Sequence, residues 1–222
     1  MAPTLCNLVA ELAPYFCVGK QKRKVMKTTV WDIFAPVYER SMRSQQNVYD
    51  FMYQQIATAV SGKTVLELAT GPGMIAKHIA ASALSVTATD FAPRMIEIAQ
   101  KGNVPENVTF EVADATCLRY ADASFDVVII ASALHIMPNP EKALSEIGRV
   151  LRPGGLLIAP NFIFNGRKNL WQRILTLIGI KFAHEWTAEQ YAAFLAANGW
   201  RIAKSEIVKG RIDLMYVECE EC

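Results

Sequence analysis

Thr64-Val-Leu-Glu-Leu-Ala-Thr-Gly-Pro-Gly73 decides the fold of this chain. It reads as a buried strand that runs into a glycine turn. Gly71 and Gly73 let the backbone turn sharply and admit a ligand where a Cβ would clash. The residues that follow, Met74-Ile-Ala-Lys-His-Ile-Ala-Ala81, have helical apolar spacing. Strand, glycine turn and helix in that order build a nucleotide-type ligand site at the end of a parallel strand. Glu67 stands near the end of that strand. A carboxylate in an apolar strand needs a cationic or hydrogen-bonding partner to offset its desolvation.

Outward from this stretch the pattern alternates. Apolar strands are predicted at 64–69, 85–90, 108–113, 125–131 and 155–160, with helices at 73–82, 93–101 and 140–151. Such alternation predicts a doubly wound, mostly parallel α/β sheet with helices on both faces. Thr187-Ala-Glu-Gln190 is a capping box that opens a helix ending at Asn198-Gly199. Ile202–Val208 and Ile212–Glu218, joined at Lys209-Gly210, predict a C-terminal antiparallel hairpin near one sheet edge. Residues 1–60 are aromatic-rich with helical spacing and predict an N-terminal helical cap. Residues 61–222 then form the ligand-binding α/β domain, with a cap insertion at 161–186 over the strand ends.

Composition narrows the class. With 222 residues, 52% of them hydrophobic, the chain can bury one substantial core. A net charge of +2 argues against a dedicated nucleic-acid binder. The basic cluster Lys20-Gln-Lys-Arg-Lys24 reads either as a solvated linker or as a contact with anionic lipid or nucleic acid. Five scattered cysteines imply no disulfide framework, which fits a reducing, cytoplasmic setting. Cys219-Glu-Glu-Cys222 has CxxC spacing without a second pair, so no metal site is predicted. The first residues lack the basic region of a signal peptide. The apolar run 170–180 is too short and interrupted for a membrane span.

In a parallel sheet the ligand lies beyond the carboxyl ends of the strands. The second strand ends in Asp90, whose carboxylate can accept from both hydroxyls of a ribose. Asp90 can equally cap the helix that starts near Pro93. The third strand ends in Asp114, placed to accept from an exocyclic amino group or to serve as an ordinary turn residue. The fourth ends in the small residues Ala131 and Ser132, followed by Ala133-Leu-His135.

This combination resembles the class I S-adenosylmethionine-dependent methyltransferases. Val65-Leu-Glu-Leu-Ala-Thr-Gly-Pro-Gly73 matches their first motif, Asp90 their ribose-binding acid and Val112-Ala-Asp-Ala115 their adenine-side motif. Ser124-Phe-Asp-Val-Val128 and Val150-Leu-Arg-Pro-Gly-Gly-Leu-Leu157 follow in the family's order, so the resemblance covers residues 30–160. Ala133-Leu-His-Ile-Met-Pro-Asn-Pro-Glu-Lys-Ala-Leu144 and Trp31-Asp-Ile-Phe-Ala-Pro-Val-Tyr38 are most similar to the branch of quinone-biosynthesis and related small-molecule methyltransferases. Ala69 departs from the family's usual glycine. The resemblance implies that Glu67 meets the methionine amino group of the donor, and that Ala69, Gly71 and Gly73 line its methionine and ribose parts. Asp90 would hold the ribose, Phe91 and Met95 would pack on the adenine, and Asp114 and Ala115 would frame its amino edge. Ala131 and Ser132 would sit near the reacting methyl, with Tyr38 lying over the donor.

The implied reaction is in-line methyl transfer from S-adenosylmethionine to a small-molecule acceptor. Its protein contribution is alignment and exclusion of water. A base is needed only where the acceptor must lose a proton. His135 is the candidate, with a structural histidine as the alternative; Tyr38 either contacts the donor or packs as helix core. Aromatic residues at 28–55 and 161–186, including Trp31, Phe34, Tyr49, Phe162, Phe164, Trp171 and Trp186, favour an apolar or flat acceptor. Arg167, Lys168 and Arg173 beside the 170–180 run suit a lipid-like substrate, peripheral membrane contact or a homodimer face, a monomer being the alternative. Two other functions fit less of the pattern. One is a non-catalytic cofactor-binding member of the same fold. The other is a nicotinamide-dependent oxidoreductase, for which Gly71-Pro-Gly-Met-Ile-Ala76 fits the glycine fingerprint but the Tyr-x-x-x-Lys pair is missing.

Overall fold

The computed structural model describes residues 45–164 and 183–222. Within them, helix α1 (Gln46–Ala59) leads into strand β1 (Thr64–Leu68), then α2 (Met74–Ile79), β2 (Ser85–Asp90), α3 (Pro93–Ala99), β3 (Val108–Val112) and β4 (Phe125–Ile130). A 3₁₀ turn at Leu134–Ile136 precedes α4 (Pro140–Val150), β5 (Leu151–Ile158) and the short β6 (Asn161–Ile163). The chain closes with α5 (Ala188–Ala197) and the hairpin β7 (Trp200–Val208) and β8 (Asp213–Glu221).

The strands run in the order β3-β2-β1-β4-β5-β8, the first five parallel. Strand order therefore reverses between β1 and β4, which opens a crevice at their carboxyl ends. β8 lies antiparallel to both β5 and β6 and carries β7 on its far side, so the predicted hairpin supplies the antiparallel edge. The sequence gives no sign of β6. Its three residues continue the β5 edge past Ala159-Pro160 and pair with Leu214 and its neighbours. The fifth strand also begins at Leu151, earlier than its apolar run, and a register shift opposite Phe125–Val127 accommodates Arg152-Pro-Gly-Gly155.

Strand alternation sends side chains to two cores. Val65, Val127, Ile129 and Tyr216 pack with α1, α2 and α3. Leu66, Leu68, Val128, Ile130 and Val217 pack with α4 and α5. Both faces are covered, which is why the central strands read as continuous apolar runs. The α1 residues Val48, Met52 and Ile56 belong to the same core as β1 and α2, so the described part of the N-terminal region is built into the sheet's packing. The hairpin tip locks onto the start of α1. The Ile212 amide donates to Gln45 Oε1 at 3.1 Å, and Asn47 Nδ2 donates to the Lys209 carbonyl at 3.0 Å. A Cβ at Gly210 would come within 2.9 Å of the Ile212 carbonyl oxygen, which the backbone cannot easily yield, so this approach favours glycine.

The predicted capping box is formed. Thr187 Oγ1 accepts from the Gln190 amide while Gln190 Oε1 accepts from the Thr187 amide. Cys219 is buried and Cys222 exposed, both as free thiols, whereas Cys117 is disulfide-bonded, contrary to the expectation drawn from cysteine spacing. No helix among the described residues is long and apolar enough to cross a membrane. Trp31, Phe34, Tyr38, Trp171, the Lys20–Lys24 cluster and the basic residues Arg167, Lys168 and Arg173 lie outside the described residues.

Candidate active site

The crevice beyond β1 and β4 encloses about 400 Å³. Its walls come from the ends of four strands and the segments that follow them. Ala69 and Gly71 follow β1, and Thr89, Asp90, Phe91 and Met95 come from the end of β2 and from α3. Ala113–Thr116 follow β3, and Ala131–Ala133 with Ile136–Asn139 follow β4. Nine residues singled out from sequence thus meet here: Ala69, Gly71, Asp90, Phe91, Met95, Asp114, Ala115, Ala131 and Ser132. Glu67, Gly73 and His135 do not line it, and Tyr38 lies outside the described residues.

Glu67 is 1% exposed. It faces the α2 side of the sheet, opposite to Leu66 and Leu68. Burial raises its carboxyl to about 8, against the pull of the Ala76 amide. Glu67 Oε2 and Thr70 Oγ1 have no hydrogen-bond partner among the described residues. Two unsatisfied buried polar atoms at the end of a central strand carry a desolvation cost that a bound polar or cationic group would offset.

Asp90 holds two turns together. Its Oδ2 accepts from the Gly71 amide at 2.8 Å and its Oδ1 from the Ala92 amide at 2.9 Å. The helix-cap alternative is therefore not what forms. Ala92 occupies the cap position of α3, and its own side chain caps none of the helix's first amides. Each carboxylate oxygen has a second lone pair, so Asp90 can still accept from a neighbouring diol. Phe91 beside it is 57% exposed, an apolar ring presented at the crevice rim. Asp114 closes an Asx turn: its Oδ1 accepts from the Thr116 amide at 2.9 Å and hydroxyl at 2.7 Å.

Two of the three left-handed non-glycine residues among those described lie at the same place, the third being Ala123 before β4. Ala69 (φ +55°) and Ser132 (φ +51°) both adopt the left-handed conformation that side chains disfavour. They follow β1 and β4, the two strands that flank the crevice. The Ser132 amide donates to the Pro160 carbonyl at 2.7 Å, which pins it there, and its buried hydroxyl lacks a partner among the described residues. Gly73 serves packing: a Cβ there would meet the Phe110 ring at 2.6 Å. The sequence reading missed Thr70, Thr116 and the stretch Ile136–Asn139. The last lies inside the Ala133–Leu144 stretch that resembles the family branch, and its Pro138-Asn-Pro140 is a breaker that holds the segment extended before α4.

His135 is 2% exposed, beneath the 3₁₀ turn. Burial lowers it to about 4, while Asn161 raises it and His184 lowers it further. Its Nδ1 lies 2.7 Å from Asn161 Oδ1; as Oδ1 can only accept, Nδ1 carries the proton. The rings of Phe162 and Phe164 stand 5.9 and 6.2 Å away. The backbone of His135 accepts from the His184 amide, and His184 stacks on Trp186 with ring centroids 4.7 Å apart. No group of three or more metal-ligating side chains clusters among the described residues.

Residues 66–159 match the family model of the methyltransferase domain. The ubiquinone/menaquinone biosynthesis C-methyltransferase of Bdellovibrio bacteriovorus is 38% identical over 161 residues, 64% of this chain and 67% of that protein. A demethylmenaquinone methyltransferase of Renibacterium salmoninarum is 38% identical over 104 residues, 47% of this chain and 43% of that protein. The chain thus spans between about two fifths and two thirds of the length of these relatives. The solved complex between the Haloferax volcanii Trm112 methyltransferase activator and a methyltransferase shares the fold, with a TM-score of 0.70, 19% identity and coverage of 86% of this chain and 98% of that one. The oxidoreductase alternative has no support in these relationships. This chain belongs to the class I S-adenosylmethionine-dependent methyltransferases.

Proposed function

We propose that this methyltransferase alkylates a small, apolar or aromatic acceptor by in-line displacement, with a quinol-type ring as the leading acceptor class. Bound S-adenosylmethionine supplies an electrophilic methyl on a cationic sulfur. The residues present fit that donor. Glu67 offers a buried, unsatisfied carboxyl for its ammonium group. Asp90 offers lone pairs for its ribose, and Phe91, Met95 and Asp114 offer two apolar surfaces and an acceptor for its base. The positions after β4 carry small side chains, Ala131, Ser132 and Ala133, which let an acceptor approach closely.

The observation that carries the acceptor class is the uncharged, aromatic surround of the 3₁₀ turn after β4. His135 is held neutral among Phe162 and Phe164, and Ile136, Met137 and Pro138 present apolar surface to the crevice. A charged acceptor would lose hydration there without gaining a counter-ion. A flat neutral ring would gain contact area. The names of the curated relatives, which describe methyl transfer in ubiquinone and menaquinone biosynthesis, support the same class. His135 in this reading orients the acceptor side, its lowered basicity suiting it to hydrogen bonding more than to proton removal. The deciding experiment measures S-adenosylhomocysteine formation with a panel of naphthoquinols, benzoquinols, catechols, amines and carboxylates. Turnover of quinols or other neutral aromatics is expected. Turnover confined to amines or carboxylates would sink the proposal.

A further inference from the structure

We propose that Arg149 and Glu146 are positioning residues that set the crevice wall facing the donor's adenine. The proposal rests on the reading of Asp114 as the acceptor for the adenine amino group. The wall belongs to the connection between β3 and β4, residues 113–124, which contains no helix and no strand beyond a single bridge between Asp114 and Cys117. A segment of this kind takes its shape from whatever satisfies its backbone.

That partner is the last turn of α4. Glu146 Oε2 accepts from the Leu118 amide at 2.7 Å. Arg149 Nη2 donates to the Leu118 carbonyl at 3.1 Å, and Nη1 donates to the Tyr120 carbonyl at 2.7 Å and to Asp122 Oδ1 at 2.8 Å. The two side chains are themselves joined through Arg149 Nε and Nη2 to the two Glu146 oxygens, both at 2.9 Å. Their mutual hydrogen bonds hold the Glu146 carboxyl below the usual range and the Arg149 proton more tightly. Five planar donors in a fixed fork are what allow one side chain to hold three points of a loop at once.

The anchored residues stand next to the wall. Leu118 is two residues beyond Thr116, which lines the crevice and donates twice to Asp114 Oδ1. Ala115 and Leu118 also pack on Ala143, Leu144 and Ile147 of α4. Displacing the Leu118 backbone would therefore move Thr116, and with it the direction in which Asp114 presents its carboxylate.

Calorimetry on the full chain would use S-adenosyl-L-homocysteine and its inosine analogue, which carries a carbonyl in place of the amino group. The wild-type protein is expected to prefer the adenosine compound by about tenfold or more. Arg149→Met is expected to weaken that compound by about tenfold and to reduce the preference to under about threefold. Glu146→Gln should follow it, and Arg149→Lys, which keeps the charge but not the fork, should fall between. Hydrogen exchange at amides 116–120 should quicken in all three while β1 and β4 stay protected. If Arg149→Met does not fold, the other two variants carry the same comparison. An unchanged preference in folded variants would overturn the proposal, because a purely structural pair lowers stability without altering discrimination. Equal binding of both compounds by the wild type would overturn it too. Failure of the wild type to bind S-adenosyl-L-homocysteine at all would instead strike the reading of the crevice itself.

Discussion

The two ends of the central strands treat their carboxyl groups in opposite ways. At the amino end, Asp126 accepts from the Thr64 amide at 2.8 Å and its hydroxyl at 2.6 Å, and pairs with Arg152 at 2.5 Å. These partners lower it to about 2. At the carboxyl end, Glu67 is buried, raised to about 8 and left with an unpartnered oxygen. Left-handed Ala69 and Ser132 are its near neighbours in the chain and across the sheet, while left-handed Ala123 lies near Asp126, so it is the polar groups and not the backbone that set the two ends apart. The fold satisfies itself where nothing binds, and it holds polar groups unsatisfied where the donor is to lie.

The largest break in that contrast is Glu67→Gln. It should lower affinity for S-adenosylmethionine by about a hundredfold, since a neutral amide cannot replace a carboxylate opposite an ammonium group in a buried site. The same variant should melt higher than wild type at pH 9. A carboxyl raised from 4.5 to about 8 on folding contributes stability below pH 4.5 and loses it as pH rises through 8. The neutral side chain removes that loss. Donor binding by wild type should release a proton near pH 7, read as a buffer-dependent enthalpy in calorimetry; a buffer-independent value would contradict the assignment.

Asp90→Ala comes next. It frees the Gly71 amide and removes the ribose acceptor, and should weaken donor binding by more than about tenfold with the fold intact. Equal affinity in that variant would remove Asp90 from the site. At the opposite end, Asp126→Asn should cost about 1 kcal/mol at pH 7 and leave donor affinity unchanged. Asp126 has a lowered folded value, so its contribution is present above about 4 and disappears as pH falls through 2. Urea melts of the two proteins should therefore differ at pH 7 and converge at pH 2. The smallest effect is expected for Ala69→Gly, which relieves a left-handed alanine and should stabilise by about 0.5–1 kcal/mol, less the added freedom of the unfolded chain. A loss of donor affinity in that variant would show that strain at Ala69 shapes the crevice.

Most of this was legible before the fold was seen, for physical reasons. Strands buried on both faces read as apolar runs, and strand-end acids interrupt those runs where a ligand is met. Hence β1, β2 and β4 were placed to within a residue or two, and Asp90 and Asp114 stood out. What was hidden depends on long-range geometry. β6 is three residues with no pattern of its own, formed only because β8 offers an edge. Gly73 looked like part of the ligand loop, but its lack of a Cβ makes room for Phe110, a residue 37 positions later. Thr70 carries no mark in sequence, because an unsatisfied hydroxyl is visible only when its surroundings are known. The Arg149–Glu146 pair resembles any helical i,i+3 ion pair until the loop wrapped over it is in view.

The terminal Cys219 and Cys222 have a practical consequence. Three positions along a strand place two side chains on opposite faces, one packed into the α4 core and one in water. They cannot close a ring with each other while β8 holds. Of the two described free thiols, Cys222 is the one open to air oxidation, and its partner would have to come from outside this pair. A covalent dimer on a non-reducing gel would then report storage conditions, and reductant should be present in any sizing experiment meant to count subunits.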